Sequence, residues 1–425
     1  MHLSAEAWLD NAKSPDDVLL DDSAIASLAR RFFTTDPNMV DLATFAEHLP
    51  GAEVAKSIQS LSKPCETQLY FRDGGKVEPA DYDRYQRKLN LAELPLMVTV
   101  QFGLVLRRAS MRTWPTTDVV FKSEETIDLD RFQENGLFPA DMVAVLHESA
   151  DGEWYFVQSV NYAAWVRKET IITGSRDVIL AYKNAPDFVV VTGSKISTNF
   201  NPTTPAISEL QLDMGIRLPL AKPDDGAMDV DGQQSNASFA VSLPVVDDAG
   251  GLGFRTALIA RSQDVRLGCL PLTRRNVLVQ AFKFLGERYG WGHSHNARDC
   301  TGLVSEVYKT FGIHLPRNSS QQGRSQIGES IEFSDETDPA EKFAAILAAD
   351  VGDLIYSTGH VMIYLGAVDG SPFVLHDLSG YGWVGDDGAV REGALNGVSV
   401  TPLMTTHASR DATYFDQTYA IKKIR

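Results

Sequence analysis

Cysteine is nearly missing from this chain. Three thiols in 425 residues, Cys65, Cys269 and Cys300, are too few for a disulfide framework, and one must stay unpaired. No cluster of four cysteines and histidines has the spacing of a structural zinc site, so neither a metal nor another cofactor is expected. No run of 18 apolar residues occurs, so no transmembrane helix is expected. Positive charge is in the minority, with 39 Lys and Arg against 56 Asp and Glu. The resulting formal charge of -17 argues against a nucleic-acid or anionic-lipid footprint, while leaving open a polymer of mixed charge. The opening MHLSAEAWLDNAKSPDD has no apolar h-region, which fits either a cytoplasmic protein or one whose leader has been removed.

What remains is ordinary globular material, 44% hydrophobic and 22% charged, long enough for several domains. Residues 1–92 read as a helical region, with helices expected over Ser23–Phe33, Phe45–Leu61 and Tyr82–Lys88. The period then changes to two. Met97–Leu106, Met142–His147, Trp154–Ser159 and Ala164–Val166 predict strands, and Asp151-Gly152 between two of them is a hairpin signal. These define a small barrel over 93–173. A second strand-rich unit over 174–272 is expected from Val178–Ala181, Asp187–Thr192, Phe239–Leu243 and Leu252–Ala260, with the polar Ala221–Asn236 as a surface hairpin excursion. Residues 273–425 read as one α+β domain. It opens with a helix that has apolar positions at 277, 278, 281, 284 and 285.

The chemistry-bearing residues gather in that last domain. Cys300 follows the polar turn Arg298-Asp299 and precedes an amphipathic helix whose buried face is Leu303, Val304 and Val307. It is therefore expected at the exposed first turn, where free N–H groups and the helix dipole favour a thiolate. Rapid alkylation of Cys300 at neutral pH, with Cys65 and Cys269 slow, follows from that reading. His360 opens the apolar strand run Val361–Leu365, a rigid mount for a general base. A third group should hold the other ring nitrogen, and His376, Asp353 and Asp377 are the candidates. His293 and His295 either line the cleft or face solvent. One nucleophile and two imidazoles point to a cysteine hydrolase.

Taken in order, YGWG, RDCTGLV, LPRNSSQQ, VGDLIY, GHVMIYLG and FVLHD resemble the blocks of the NlpC/P60 cysteine peptidases. The resemblance covers residues 273–425. It implies a circularly permuted papain-like domain behind a helical N-terminal region and two SH3-like barrels. The activity it implies is a γ-D-glutamyl-L-diamino acid endopeptidase acting on peptidoglycan stem peptides with a free N-terminal L-Ala. It assigns Cys300 as nucleophile, His360 as base and His376 as its orienter. Tyr289 would stand near the nucleophile to help hold an oxyanion, while Asp299, Thr301 and Ser319 would meet the substrate. In such relatives the first barrel covers one end of the cleft and binds the substrate ammonium, for which Tyr162 and Asp130 are the candidates here. The Met111–Thr116 block and Tyr162/Trp165 are either aromatic walls or barrel core. One departure stands out: His293 occupies a position where relatives often carry a second glycine. The family's habit favours the cell envelope or periplasm, with cytoplasm the alternative. An amidase or acyltransferase on the same thiol fold, or an inactive wall-binding protein, would be the competing readings.

Overall fold

The computed structural model describes residues 2–221 and 229–425. The chain divides into two compact units. One comprises Met1–Met39, Leu270–Tyr289 and Ala297–Arg425; the other comprises Val40–Cys269 and Gly290–Asn296. The helical N-terminal stretch is thus shared between them.

The second unit is built on a seven-stranded antiparallel sheet. Its order is Ile171–Gly174, Gln101–Val105, Met142–Glu148, Trp154–Gln158, Ala163–Arg167, Ala109–Arg112 and Gln133–Leu137. Alternation along these strands feeds two cores. Ala144, Leu146, Phe156 and Trp165 enter one; Val143, Val145, Val157, Ala164 and Val166 enter the other. Burial on both faces explains why the strands read as near-continuous apolar runs. The Asp151-Gly152 turn forms as expected, with Gly152 at φ 70°. Met111, Trp114 and Trp165 are fully buried, so that block is core and not an aromatic wall. The helix Gly51–Leu61 is shorter at its start than expected, because His48–Pro50 pairs as a strand with Met97–Thr99. Gly51 is needed there: a Cβ would sit 2.0 Å from the Pro95 carbonyl oxygen.

In the region of the expected second barrel the strands form short separate sheets. Phe188–Val191 pairs with Arg217–Pro219 and Val265–Leu267, Lys195–Ser197 with Gln211–Asp213, and Ser238–Val246 with Leu252–Ala260. Their buried side chains, among them Val189, Leu218, Val241 and Ile259, join the core under the seven-stranded sheet. The segment expected as the strand Val178–Ala181 is a helix, Arg176–Lys183, burying Ile179 and Tyr182 three apart on one face. Tertiary burial of that face outweighed the β-propensity of Val and Ile. Of the expected Ala221–Asn236 excursion, Asp229–Val230 and Gln233–Gln234 pair as a hairpin; residues 222–228 lie outside the described residues.

The first unit carries an antiparallel sheet in the order Glu329–Glu332, Thr418–Lys423, Leu354–Ser357, His360–Val368, Ser371–Val384, with Val390–Pro402 paired to the last. The helix Cys300–Lys309 packs across His360–Val368 and Ser371–Val384, and Arg274–Phe282 packs on that helix. Residues before Met39 belong to this unit. The Leu19 N–H donates to the Leu272 carbonyl at 2.8 Å, Arg275 forks onto Asp16 at 2.5 and 2.9 Å, and buried Trp8 packs on Phe373. Two tight turns set the strands that matter. Gly359, at φ 74°, closes the turn that pairs Ser357 with His360, and Asp369-Gly370, at φ 50° and 77°, joins the next hairpin.

Candidate active site

The site is assembled from one helix start and three adjacent strands. Cys300 is the first residue of its helix, and Asp299 caps it by accepting the Gly302 N–H at 2.9 Å. The cysteine is not at an exposed turn as expected; it is 8% accessible. The strand packed over the helix start covers it, and the Val361 N–H reaches its sulfur. That bond puts the thiol at the first two residues of the His360 strand.

His360 and His376 come together. His360 Nε2 and His376 Nδ1 are 2.9 Å apart, and the remaining His376 nitrogen, Nε2, lies 2.9 Å from the Thr401 hydroxyl. Both ring nitrogens of His376 are therefore occupied, and Nδ1 is the His360 nitrogen that this pair does not use. Tyr414 closes over the pair, its ring 5.0 Å from His360 and 5.4 Å from His376. Asp353, another candidate for the third position, instead accepts the Asp350 N–H at 2.9 Å. Asp377 follows His376 on the strand and so faces the opposite side, fully buried, with neither carboxyl oxygen hydrogen-bonded among the described residues.

Electrostatics favour neutral groups at rest. Burial pushes the Cys300 thiol up to about 12, and the Asp299 carboxylate beside it acts in the same direction. Burial lowers His360 to about 4, Asp299 opposing. His376 lies well below the usual imidazole range through burial, with His360 adding to it. Burial, with smaller contributions from neighbouring Asp299 and other acidic groups, keeps Asp377 far above the usual carboxylate range. Burial thus acts against the thiolate that the helix dipole alone would favour.

Tyr289 is buried close enough to Cys300 for the thiolate to raise its phenol, after burial and Asp299. Asp299 and Thr301 are engaged within the fold. Arg317 donates to Asp299 at 2.6 and 3.3 Å and also to the Thr301 hydroxyl, which itself donates to Asp299 at 2.9 Å. Ser319 starts the short helix Ser319–Arg324, and its carbonyl accepts from the Tyr419 hydroxyl. Gln322 of that helix holds the Pro316 carbonyl and the Ser305 hydroxyl.

In the other unit, Asp130 is not available to an ammonium. It is buried and bound by Arg112 at 2.8 Å and by the N–H groups of Val120 and Phe132. The carboxylate that Tyr162 does meet is Glu134, at 2.5 Å, with Thr113 donating to its other oxygen at 2.6 Å. Glu134 escaped sequence reasoning because Gln133–Leu137 has no apolar alternation. His293 does not face solvent: it is buried edge-on against Phe138, and its carbonyl accepts from Arg108. Its φ of 67° lies in the left-handed range that glycine adopts freely. His295 is exposed, with Nε2 at 3.1 Å from the Asp128 carbonyl.

Residues 286–403 match the model of the NlpC/P60 family, and 119–167 match that of an SH3 domain of SH3b1 type. The chain thus carries an NlpC/P60-type domain over residues 286–403 and an SH3b-type domain over residues 119–167. It is 28% identical over 207 residues to a gamma-D-glutamyl-L-lysine dipeptidyl-peptidase of Bacillus cereus, covering 48% of this chain and 54% of the relative. It thus spans about half that relative's length. An NlpC/P60 endopeptidase from Photobacterium damselae subsp. piscicida shares its fold, with a TM-score of 0.78 at 17% identity over 100% of this chain and 97% of that one. An NlpC/P60 family protein from Bacillus cereus superposes at a TM-score of 0.51 with 18% identity, over 76% and 99% of the two chains.

Proposed function

We propose that this protein is a cysteine peptidase that hydrolyses the bond between γ-D-Glu and the L-diamino acid of peptidoglycan stem peptides. The observation that carries the reading is the His360–His376 pair at 2.9 Å beside a thiol bonded to the Val361 N–H. Because both partners rest neutral, His360 Nδ1 takes the thiol proton as sulfur attacks the γ-carbonyl. The Cys300 N–H and the Tyr289 hydroxyl are the donors for the resulting oxyanion. His360 then returns the proton to the leaving amine, and a water that it deprotonates releases the acyl group from sulfur. His376 holds the transient imidazolium through its Nδ1 lone pair. None of these steps calls for a metal.

The diamino acid is Lys or meso-diaminopimelate, and a free N-terminal L-Ala belongs to the same proposal. Within the SH3-type unit, Glu134 with Tyr162 is the carboxylate and phenol suited to an ammonium, in place of Asp130. An envelope location accompanies this reading, with cytoplasmic turnover of released fragments as the alternative; cell fractionation separates them.

Cys300→Ala should abolish cleavage of L-Ala-γ-D-Glu-L-Lys while leaving the circular dichroism spectrum unchanged. Retained turnover would refute the assignment. Mass spectrometry of digested peptidoglycan tests the amidase alternative, which requires scission between N-acetylmuramic acid and L-Ala. An inactive wall-binding protein would release no products from either substrate.

A further inference from the structure

We infer that Thr401 is a positioning residue for the histidine pair, setting by a single hydroxyl which nitrogen of His360 carries a proton. The inference rests on the triad proposed above and extends it by one group. Thr401 sits on Val390–Pro402, opposite Val374 on the neighbouring strand, and is 7% exposed. Its hydroxyl lies 2.9 Å from His376 Nε2, and His376 Nδ1 lies 2.9 Å from His360 Nε2.

Each of these two contacts holds one proton between two heavy atoms, so the roles along the row are linked. If the Thr401 hydroxyl accepts, His376 carries its proton on Nε2 and offers a lone pair at Nδ1. His360 must then donate from Nε2, which leaves a lone pair on Nδ1 to receive the thiol proton. If Thr401 donates instead, every role reverses. His376 donates from Nδ1, His360 is protonated on Nδ1, and the base is blocked. Only the accepting arrangement suits catalysis, and it also suits the imidazolium, which must donate from both nitrogens. A buried N–H at His376 Nε2 without an acceptor would be strongly disfavoured. The acceptor therefore decides the tautomer of a base two groups away.

Thr401→Val keeps the β-branched shape and removes the hydroxyl, whereas Thr401→Ser keeps the hydroxyl. On L-Ala-γ-D-Glu-L-Lys, the valine variant should lose about tenfold or more in kcat with KM little changed, the loss expected for a buried group left without its partner. The serine variant should recover most of the rate. Nitrogen-15 NMR of the imidazoles, which needs no substrate, should show His360 and His376 protonated on Nε2 in the wild type. In the valine variant it should show a tautomer mixture. Equal kcat and unchanged tautomers in the valine variant would overturn the inference, as would a serine variant impaired as badly as valine. Turnover by Cys300→Ala would instead overturn the peptidase reading, and the tautomer spectra would still decide the role of Thr401.

Discussion

Replacing Arg317 with methionine should damage this protein more than any exposed substitution, and the reason is the company Asp299 keeps. The carboxylate accepts from Arg317 at 2.6 and 3.3 Å, from Thr301 at 2.9 Å and from the Gly302 N–H at 2.9 Å. The Arg317 and Asp299 side chains are only 9% and 6% exposed. Methionine fills the stem of the arginine but removes the guanidinium that pairs with Asp299. Breaking a buried pair from one side costs about 3–5 kcal/mol, because the stranded charge remains buried. Against a total stability of roughly 5–15 kcal/mol, that is a large fraction. With a urea slope of about 2 kcal/mol per molar, the midpoint should fall by about 2 M. Equilibrium urea unfolding followed by tryptophan fluorescence measures it. The double variant Asp299→Asn/Arg317→Met removes the stranded charge while keeping a side chain that can cap the Cys300 helix, so it should recover about half the loss. A midpoint lowered by less than about 0.5 M in Arg317→Met, or a double variant no better than the single, would refute the argument.

Two more outcomes follow. With the Cys300 thiol pushed up to about 12, its alkylation by iodoacetamide should keep rising through pH 9, and exposed Cys65 should react faster at neutral pH. This reverses the order expected from the helix dipole. A Cys300 rate already level between pH 5 and pH 8 would mean a preformed thiolate. Glu134→Gln should reduce the preference for free over N-acetylated L-Ala substrate by about tenfold, one lost charge-assisted bond. Measuring kcat/KM on both peptides checks it, and an unchanged ratio would remove Glu134 and Tyr162 from substrate recognition.

How much of this was legible along the chain depended on whether the signal was local. The hairpin at Asp151-Gly152, the strand Leu252–Ala260 and the helix beginning at Cys300 were readable because turn residues and apolar period lie within a few positions of each other. The Arg176–Lys183 helix was not, since Val178–Ala181 is too short for its period to be distinguished and only burial of Ile179 and Tyr182 selects it. Glu134 and Thr401 carry no motif, and each acquires its partner from a residue 28 or 25 positions away.

By itself, the sequence determined which residue types carry the chemistry and their order: a cysteine after an aspartate cap, a histidine after a glycine turn, and a second histidine at the end of an apolar run. Capping and turn preferences act between near neighbours, so those positions are local properties. Only the tertiary structure decided the state of the groups. Packing of the His360 strand over the helix start buries Cys300, and that desolvation pushes its thiol up, against the pull of the helix dipole. Strand register chose His376 over Asp353 and Asp377 as the partner of His360 and brought Thr401 to its far side, because side chains on one sheet face meet only across paired strands.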